Sequence, residues 1–245
     1  VTAVPIENRS AALETVTRRA ESELSFLVSD GDTVGIAWGT TMSMLAMHLN
    51  PLARSHTLVV QLNGAGSLVD VAGAHAEDLL GRFSEAWSAT PVVFPVPAFF
   101  DHATTRDALW RERSIDKVRV LQRSCDVAVF SIGSSAAEVP SRVYAAGYLG
   151  ADDSDELASA GIVGDIATNF FRGDGSFEGV ELNSRASGIM LEDLRSVPKR
   201  FCVVSGVGKA EALAGALRGG FVTHLVADAP LLTVVEELTR DGDDS

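Results

Sequence analysis

Cysteine, histidine and cationic side chains are all scarce in this chain. Its 245 residues include two cysteines, five histidines and 20 Lys or Arg against 33 Asp or Glu, a formal net charge of −13. Two cysteines build no disulfide framework in a chain of this length. Cys125 and Cys202 each lie beside an apolar run and read as buried free thiols of a reducing compartment. His48, His56, His75, His102 and His224 stand apart, none with a partner three or four residues away. Zinc spacing is therefore lacking, and no metal or other cofactor is expected. No run of about 18 apolar residues offers a membrane span. No leader of basic, then apolar, then small residues is present either, so a cytoplasmic location is expected. The shortage of cations also bears on partners. DNA affinity rests on neutralising phosphates with Lys and Arg, so a segment this acidic repels nucleic acid.

What is present is an ordinary globular composition, 46% hydrophobic with 22 glycines. No linker or repeat divides it, so residues 1–245 read as one domain. Residues 10–28 show helical spacing, with Leu13, Val16, Ala20, Leu24 and Leu27 on one face. Strands are expected at Thr33–Ala37, Thr57–Leu62, Val92–Val96, Val127–Ile132, Phe201–Val204 and Val222–Val226. Between them fall helical patterns from Met42, over Val69–Trp87, near 104–111 and 114–123, over Asp152–Ala160, up to Leu217 and over 229–239. The alternation predicts an α/β fold: a Rossmann-like parallel sheet with helices on both faces. Residues 134–151 read as loop, and roughly 140–200 interrupt the alternation as an inserted loop-rich or β-rich segment.

Ligands of such folds collect at the carboxyl ends of the strands. There the chain places Gly39-Thr40-Thr41, Asn63-Gly64, Gly133-Ser134 and Gly206-Val207-Gly208-Lys209. Gly39-Thr40-Thr41 opens a helix, where free N–H groups and the dipole suit an anion; a threonine cap is the plainer alternative. Lys209 reads as an anion contact or as a solvated lysine. Asp165, alone within Gly161-Ile162-Val163-Gly164-Asp165-Ile166, either accepts a ligand hydroxyl or caps the turn at Ala167 to Asn169. Asn63-Gly64-Ala65-Gly66 need be no more than a turn, and Trp38 reads as core. Gly206-Val207-Gly208-Lys209 is not a P-loop, because Ala210 stands where a Ser or Thr would hold magnesium. No nucleophile elbow surrounds Ser205, and no catalytic residue is assigned.

The order of these motifs is itself informative. Val34 to Thr41, Val59 to Gly64, Val129 to Gly133, Gly147-Tyr148-Leu149, Gly161 to Ile166, Gly188-Ile189 with Leu191 to Leu194, and Gly208 to Ala212 follow one another. Together they resemble the sugar-binding effector domain of SorC/DeoR-type bacterial transcriptional regulators, over about residues 5–238. The resemblance implies a fold like that of ribose-5-phosphate isomerase and glucosamine-6-phosphate deaminase, a sugar or sugar phosphate as ligand, and a homodimer or tetramer. It also implies an N-terminal helix-turn-helix module that reads DNA; a chain opening at Val1, in linker-like sequence, is expected to lack it. By the same resemblance Gly39, Thr40 and Thr41 hold the effector phosphate, with Asn63, Gly64 and Gly133 beside it. Asp165 binds sugar hydroxyls, Lys209 reaches a phosphate or sugar oxygen, and Asp228 keeps the Asp of the family's closing strand. Asn63 stands where members that take a bisphosphate carry Arg, and Pro97 to Asp107 holds no lysine for a Schiff base. One phosphate, two or none stays open. An isomerase or deaminase of the same fold is the alternative, with Asp165 as its general base.

Overall fold

The computed structural model describes residues 1–64, 72–138, 141–145 and 147–243. Among these residues the strands are β1 (Thr2–Val4), β2 (Thr33–Ile36), β3 (Leu58–Gln61), β4 (Thr90–Val92), β5 (Val127–Phe130), β6 (Ile132–Gly133), β7 (Ile162–Ile166), β8 (Asn169–Arg172), β9 (Lys199–Val204) and β10 (His224–Asp228). The helices are α1 (Ala12–Leu27), α2 (Thr40–Met47), α3 (Ala72–Trp87), α4 (Ala103–Leu109), α5 (Arg113–Arg123), α6 (Arg142–Ala145), α7 (Ala151–Ser159), α8 (Leu191–Ser196), α9 (Ala210–Arg218) and α10 (Ala229–Asp243). No helix among the described residues is long and apolar enough to cross a membrane.

Seven strands form a parallel sheet in the order β1-β10-β9-β5-β2-β3-β4. Alternation along each strand sends side chains to two cores, as a sheet covered on both faces requires. Val34, Ile36, Val59, Val129, Val203 and Val226 meet α1 to α3 through Val16, Leu24, Leu45, Phe83 and Trp87. Ala128, Phe130, Cys202 and Val204 face the other way, toward Leu194, Leu213 and Leu231. The chain runs outward from β2 through β3 to β4, then returns to set β5 against the free side of β2. The strand order thus reverses between β2 and β5, and a crevice opens there at the carboxyl ends.

The inserted segment is a three-stranded antiparallel sheet, β6-β7-β8, bordered by α7 and α8. It is tied to the main body by small residues. A Cβ on Gly164 would lie 2.6 Å from the Gly133 carbonyl oxygen and 2.8 Å from Ala212 Cβ, and one on Gly215 would lie 2.8 Å from the Arg172 carbonyl oxygen. Without side chains at these points, α9 lies directly on the β7–β8 hairpin.

Several boundaries differ from the sequence reading. The run Val127–Ile132 is two strands, because Ser131 leaves the ladder and Ile132–Gly133 pairs with Asp165–Ile166 instead. The strand expected at Val92–Val96 ends at Val92; Phe94 donates its N–H to Gln61 Oε1, and Pro95 and Pro97 have no N–H to continue a ladder. The last strand lies two residues later than predicted at each end, β1 was missed, and residues 134–151 contain α6 and the first residue of α7. The expected start of the Val69–Trp87 helix lies outside the described residues, as do Ala65 and Gly66.

Substituting Ala at Gly164 should destabilise the fold by about 1–3 kcal/mol, the range for overpacking against backbone. Urea denaturation should show this as a lower midpoint with an unchanged slope.

Candidate functional site

A cavity of about 340 Å³ opens at the reversal point, within the usual range for small-molecule sites. Of the residues singled out from sequence, Gly39, Thr40, Thr41, Asn63, Gly133, Asp165 and Lys209 line it together.

The floor is the start of α2. Gly39 precedes it at φ +153°, a conformation side chains seldom adopt, and no side chain caps the helix. The first intrahelical bond runs from Ser43 N–H to the Gly39 carbonyl (2.9 Å), so the N–H groups of Thr40, Thr41 and Met42 precede the ladder. Neither threonine caps the helix. Thr40 is exposed at the lip, while Thr41 is buried and accepts a hydrogen bond from Ser131 Oγ (3.2 Å). Asn63 closes one side: its Oδ1 accepts Trp38 N–H at 3.2 Å, which leaves the amide nitrogen for the cavity. Trp38, read from sequence as core, packs against two of the apolar clusters without being fully buried. It is half-buried on the cavity wall, its indole N–H donates to the Gly64 carbonyl (2.8 Å), and Tyr148 packs on its ring.

Opposite stands Asp165, 4% exposed where the sequence suggested half-burial. Its Oδ2 accepts the Thr168 N–H (3.2 Å), and its Oδ1, though buried, has no partner among the described residues. Of the two sequence readings of Asp165, the turn cap is realised by Oδ2, and Oδ1 is left over within the fold. Ser141 Oγ is likewise buried without a partner. Both atoms crowd Gly133, where a Cβ would stand 1.9 Å from Asp165 Oδ1 and 2.8 Å from Ser141 Oγ. Two unsatisfied polar atoms around one glycine, on a cavity wall, are a built demand for hydrogen-bond partners. Burial pushes the Asp165 carboxyl up to about 6, against the pull of the Thr168 N–H and of Lys209. Lys209 is half-buried and forms no ion pair among the described residues; burial holds its ammonium below the usual lysine range, against the pull of Cys202 and Asp165. Burial also pushes the Cys125 and Cys202 thiols up to about 12, which leaves them inert.

Gly64 and Asp228 lie off the cavity wall. Gly64 is wedged behind Trp38, where a Cβ would meet the Val96 and Pro97 carbonyls at 2.3 and 2.5 Å, and its N–H goes to Ser187 Oγ. Asp228 is fully used within the fold: one oxygen accepts Gly206 N–H (2.7 Å), the other Leu231 N–H (2.8 Å). It fixes the Gly206 loop, and so Lys209, from behind. Arg9, Ser131, Ser141, Arg142, Thr168 and the exposed Glu138 also line the cavity and were not singled out from sequence. Arg142 opens a helix straight after Pro140 and Ser141, a start signal readable in the chain. No group of three or more His, Cys, Asp or Glu among the described residues is placed to hold a metal ion.

The arrangement offers N–H donors and cations at one part of the wall and a buried acceptor at another. Comparisons with known proteins fit it. The family described as "Putative sugar-binding domain" matches residues 2–231. A domain of a possible sugar-binding transcriptional regulator from Arthrobacter aurescens TC1 is 40% identical, with a TM-score of 0.89 over 95% of this chain and 90% of that one. The deoxyribonucleoside regulator of Bacillus subtilis (strain 168) is 30% identical over 201 residues, 82% of this chain and 63% of that protein. The full-length sorbitol operon regulator SorC from Klebsiella pneumoniae shares the fold at a TM-score of 0.85 and 22% identity, covering 96% of this chain and 75% of that one. The chain spans less than two thirds of the curated relatives it matches.

Asp165→Asn should stabilise the ligand-free protein at pH 7. The folded carboxyl keeps its proton up to about pH 6, whereas the unfolded one releases it near 3.8. Between those values the folded state binds more protons, so stability falls as pH rises through the window. The difference corresponds to about 3 kcal/mol at neutral pH. Denaturation midpoints of the two proteins should diverge at pH 7 and converge near pH 4.

Proposed function

The chain belongs to the sugar-binding domain family of SorC/DeoR-type transcriptional regulators, and on that footing we propose that its cavity binds a phosphorylated sugar as effector. The carrying observation is that, among the described residues, an uncapped helix N-terminus and a lysine without an ion pair share one cavity with a buried carboxylate oxygen without a partner. The phosphate sits on the Thr40, Thr41 and Met42 N–H groups, with Lys209 and Arg142 as cations. A sugar hydroxyl donates to Asp165 Oδ1, and the Asn63 amide and Ser141 hydroxyl take further oxygens. Gly64 and Asp228 serve by holding Trp38 and the Gly206 loop in place.

The site is read as binding rather than catalytic. An isomerase needs a general base poised at a substrate carbon. Asp165 is the buried candidate, while Glu138, the other cavity carboxylate, is exposed. In the whole regulator, a cytoplasmic homo-oligomer on this reading, DNA is read by a further module, in keeping with the −13 charge of this chain. The effector acts there by binding two quaternary states with different affinity, which alone can shift their balance.

Thermal unfolding against pentose and hexose monophosphates, the matching free sugars and inorganic phosphate tests this reading. A ligand at 100 times its Kd should add about 2.7 kcal/mol, a clear rise in Tm. One sugar phosphate should stabilise where its free sugar does not, and Lys209→Met should weaken it at least about tenfold, the loss of a charged hydrogen bond. Equal effects of sugar and sugar phosphate would overturn the phosphate assignment, and turnover of a panel member would favour the enzyme.

A further inference from the structure

The turn that carries Asp165 is strained. In the β7–β8 hairpin Ile166 pairs with Asn169, leaving a two-residue loop, Ala167–Thr168. Both residues have positive φ, +48° and +71°. Two-residue hairpins with positive φ at both central positions normally use Asn-Gly or Asp-Gly. Alanine and threonine are poor substitutes, and a β-branched residue there is a true outlier. Both residues are buried, at 7% and 1% exposure, and both line the cavity.

What holds the turn is local. Thr168 donates its N–H to Asp165 Oδ2 and its hydroxyl to the Ala167 carbonyl (2.5 Å). Behind it lies the Gly188–Ile189 strap. A Cβ on Gly188 would stand 1.7 Å from the Ala167 carbonyl oxygen, so the strap lies flat against the turn. Asn169 Nδ2 donates to the Ile189 carbonyl (2.9 Å), and Ile189 N–H donates to the Leu62 carbonyl (2.9 Å), next to Asn63. A continuous set of contacts therefore runs from Asp165 through the turn and strap to the opposite wall at Asn63.

We propose that the Ala167–Thr168 turn is a strained positioning element that couples Asp165 to the Gly188–Ile189 strap and through it to the Asn63 wall. The left-handed pair presents Asp165 Oδ1 to the cavity, and relaxation of the turn withdraws the Thr168 N–H and loosens the strap together. Resting on the reading of the cavity as a sugar-phosphate site, the inference adds that a hydroxyl on Asp165 Oδ1 stabilises the strained pair. Strain at a binding site is useful in this way because it keeps two arrangements close in energy.

Amide hydrogen exchange of the ligand-free protein tests this without any ligand. Thr168→Val keeps shape and strain but deletes the hydroxyl bond; Thr168→Asn suits positive φ. Exchange at the Ile189 amide should rise about fivefold to tenfold in Thr168→Val, the loss of one hydrogen bond, and rise less in Thr168→Asn, which loses the same bond but suits positive φ. Val59 and Val129, in the main sheet, should not change. An unaltered Ile189 amide, or equal changes at all three, would overturn the coupling. Ligand binding is read separately with the sugar phosphate panel. Coupling without binding of any panel member would count against the sugar-phosphate reading alone, and binding without coupling against the turn alone.

Discussion

The energetically demanding feature of this structure is a carboxylate buried with one oxygen unsatisfied. Charged groups are taken out of water only when something compensates them, and Asp165 accepts a hydrogen bond on one oxygen only, from the Thr168 N–H, with Lys209 acting on it at longer range. Much of the surrounding architecture follows from placing it there. Gly133 lacks a side chain because Asp165 Oδ1 fills that space, and Gly164 lacks one because α9 must pass close enough to bring Lys209 to the same cavity. Ala167 and Thr168 take up an unfavourable backbone so that the carboxylate is held at the end of β7. Asn-Gly would fit the backbone of the turn with less strain.

Electrostatics work at two ranges. The body as a whole carries −13, a field that discourages anions at long range and nucleic acid above all. Inside the cavity the balance is reversed locally by the start of α2, by Lys209 and by Arg142. Such short-range donors act in a poorly solvated space, where each is worth more than at the surface. On the proposed reading, an anionic ligand would be selected by its fit to these donors rather than by the overall field.

Strand ends were legible because glycine and hydroxyl residues mark them, and the reversal of strand order then gathers them at one place. The helix start at Gly39-Thr40-Thr41 was legible for the same reason. Other features could not be separated in the sequence. Asp165 and Asp228 both stand as single carboxylates near the end of an apolar strand, and only the structure shows that both oxygens of Asp228 are occupied by Gly206 and Leu231. Gly64 and Gly133 look alike, yet one backs Trp38 and the other makes room for Asp165. A turn after Asp165 was legible, but the positive φ of both Ala167 and Thr168 was not, because these residues carry none of the chemistry that such turns favour. Ser131, likewise, gives no sign that the chain leaves one sheet there for another. Tertiary packing, which a single sequence does not display, decides each of these.

The central claim is that one cavity receives an anion at the start of α2 and a hydroxyl at Asp165. Amide chemical-shift mapping during titration with a stabilising sugar phosphate tests it most directly. The account predicts that the largest changes fall on Thr40, Thr41 and Met42, accompanied by Thr168 and the loop around Gly208 and Lys209. Changes confined to another surface, such as α4 and α5, with the α2 amides unmoved, would contradict it.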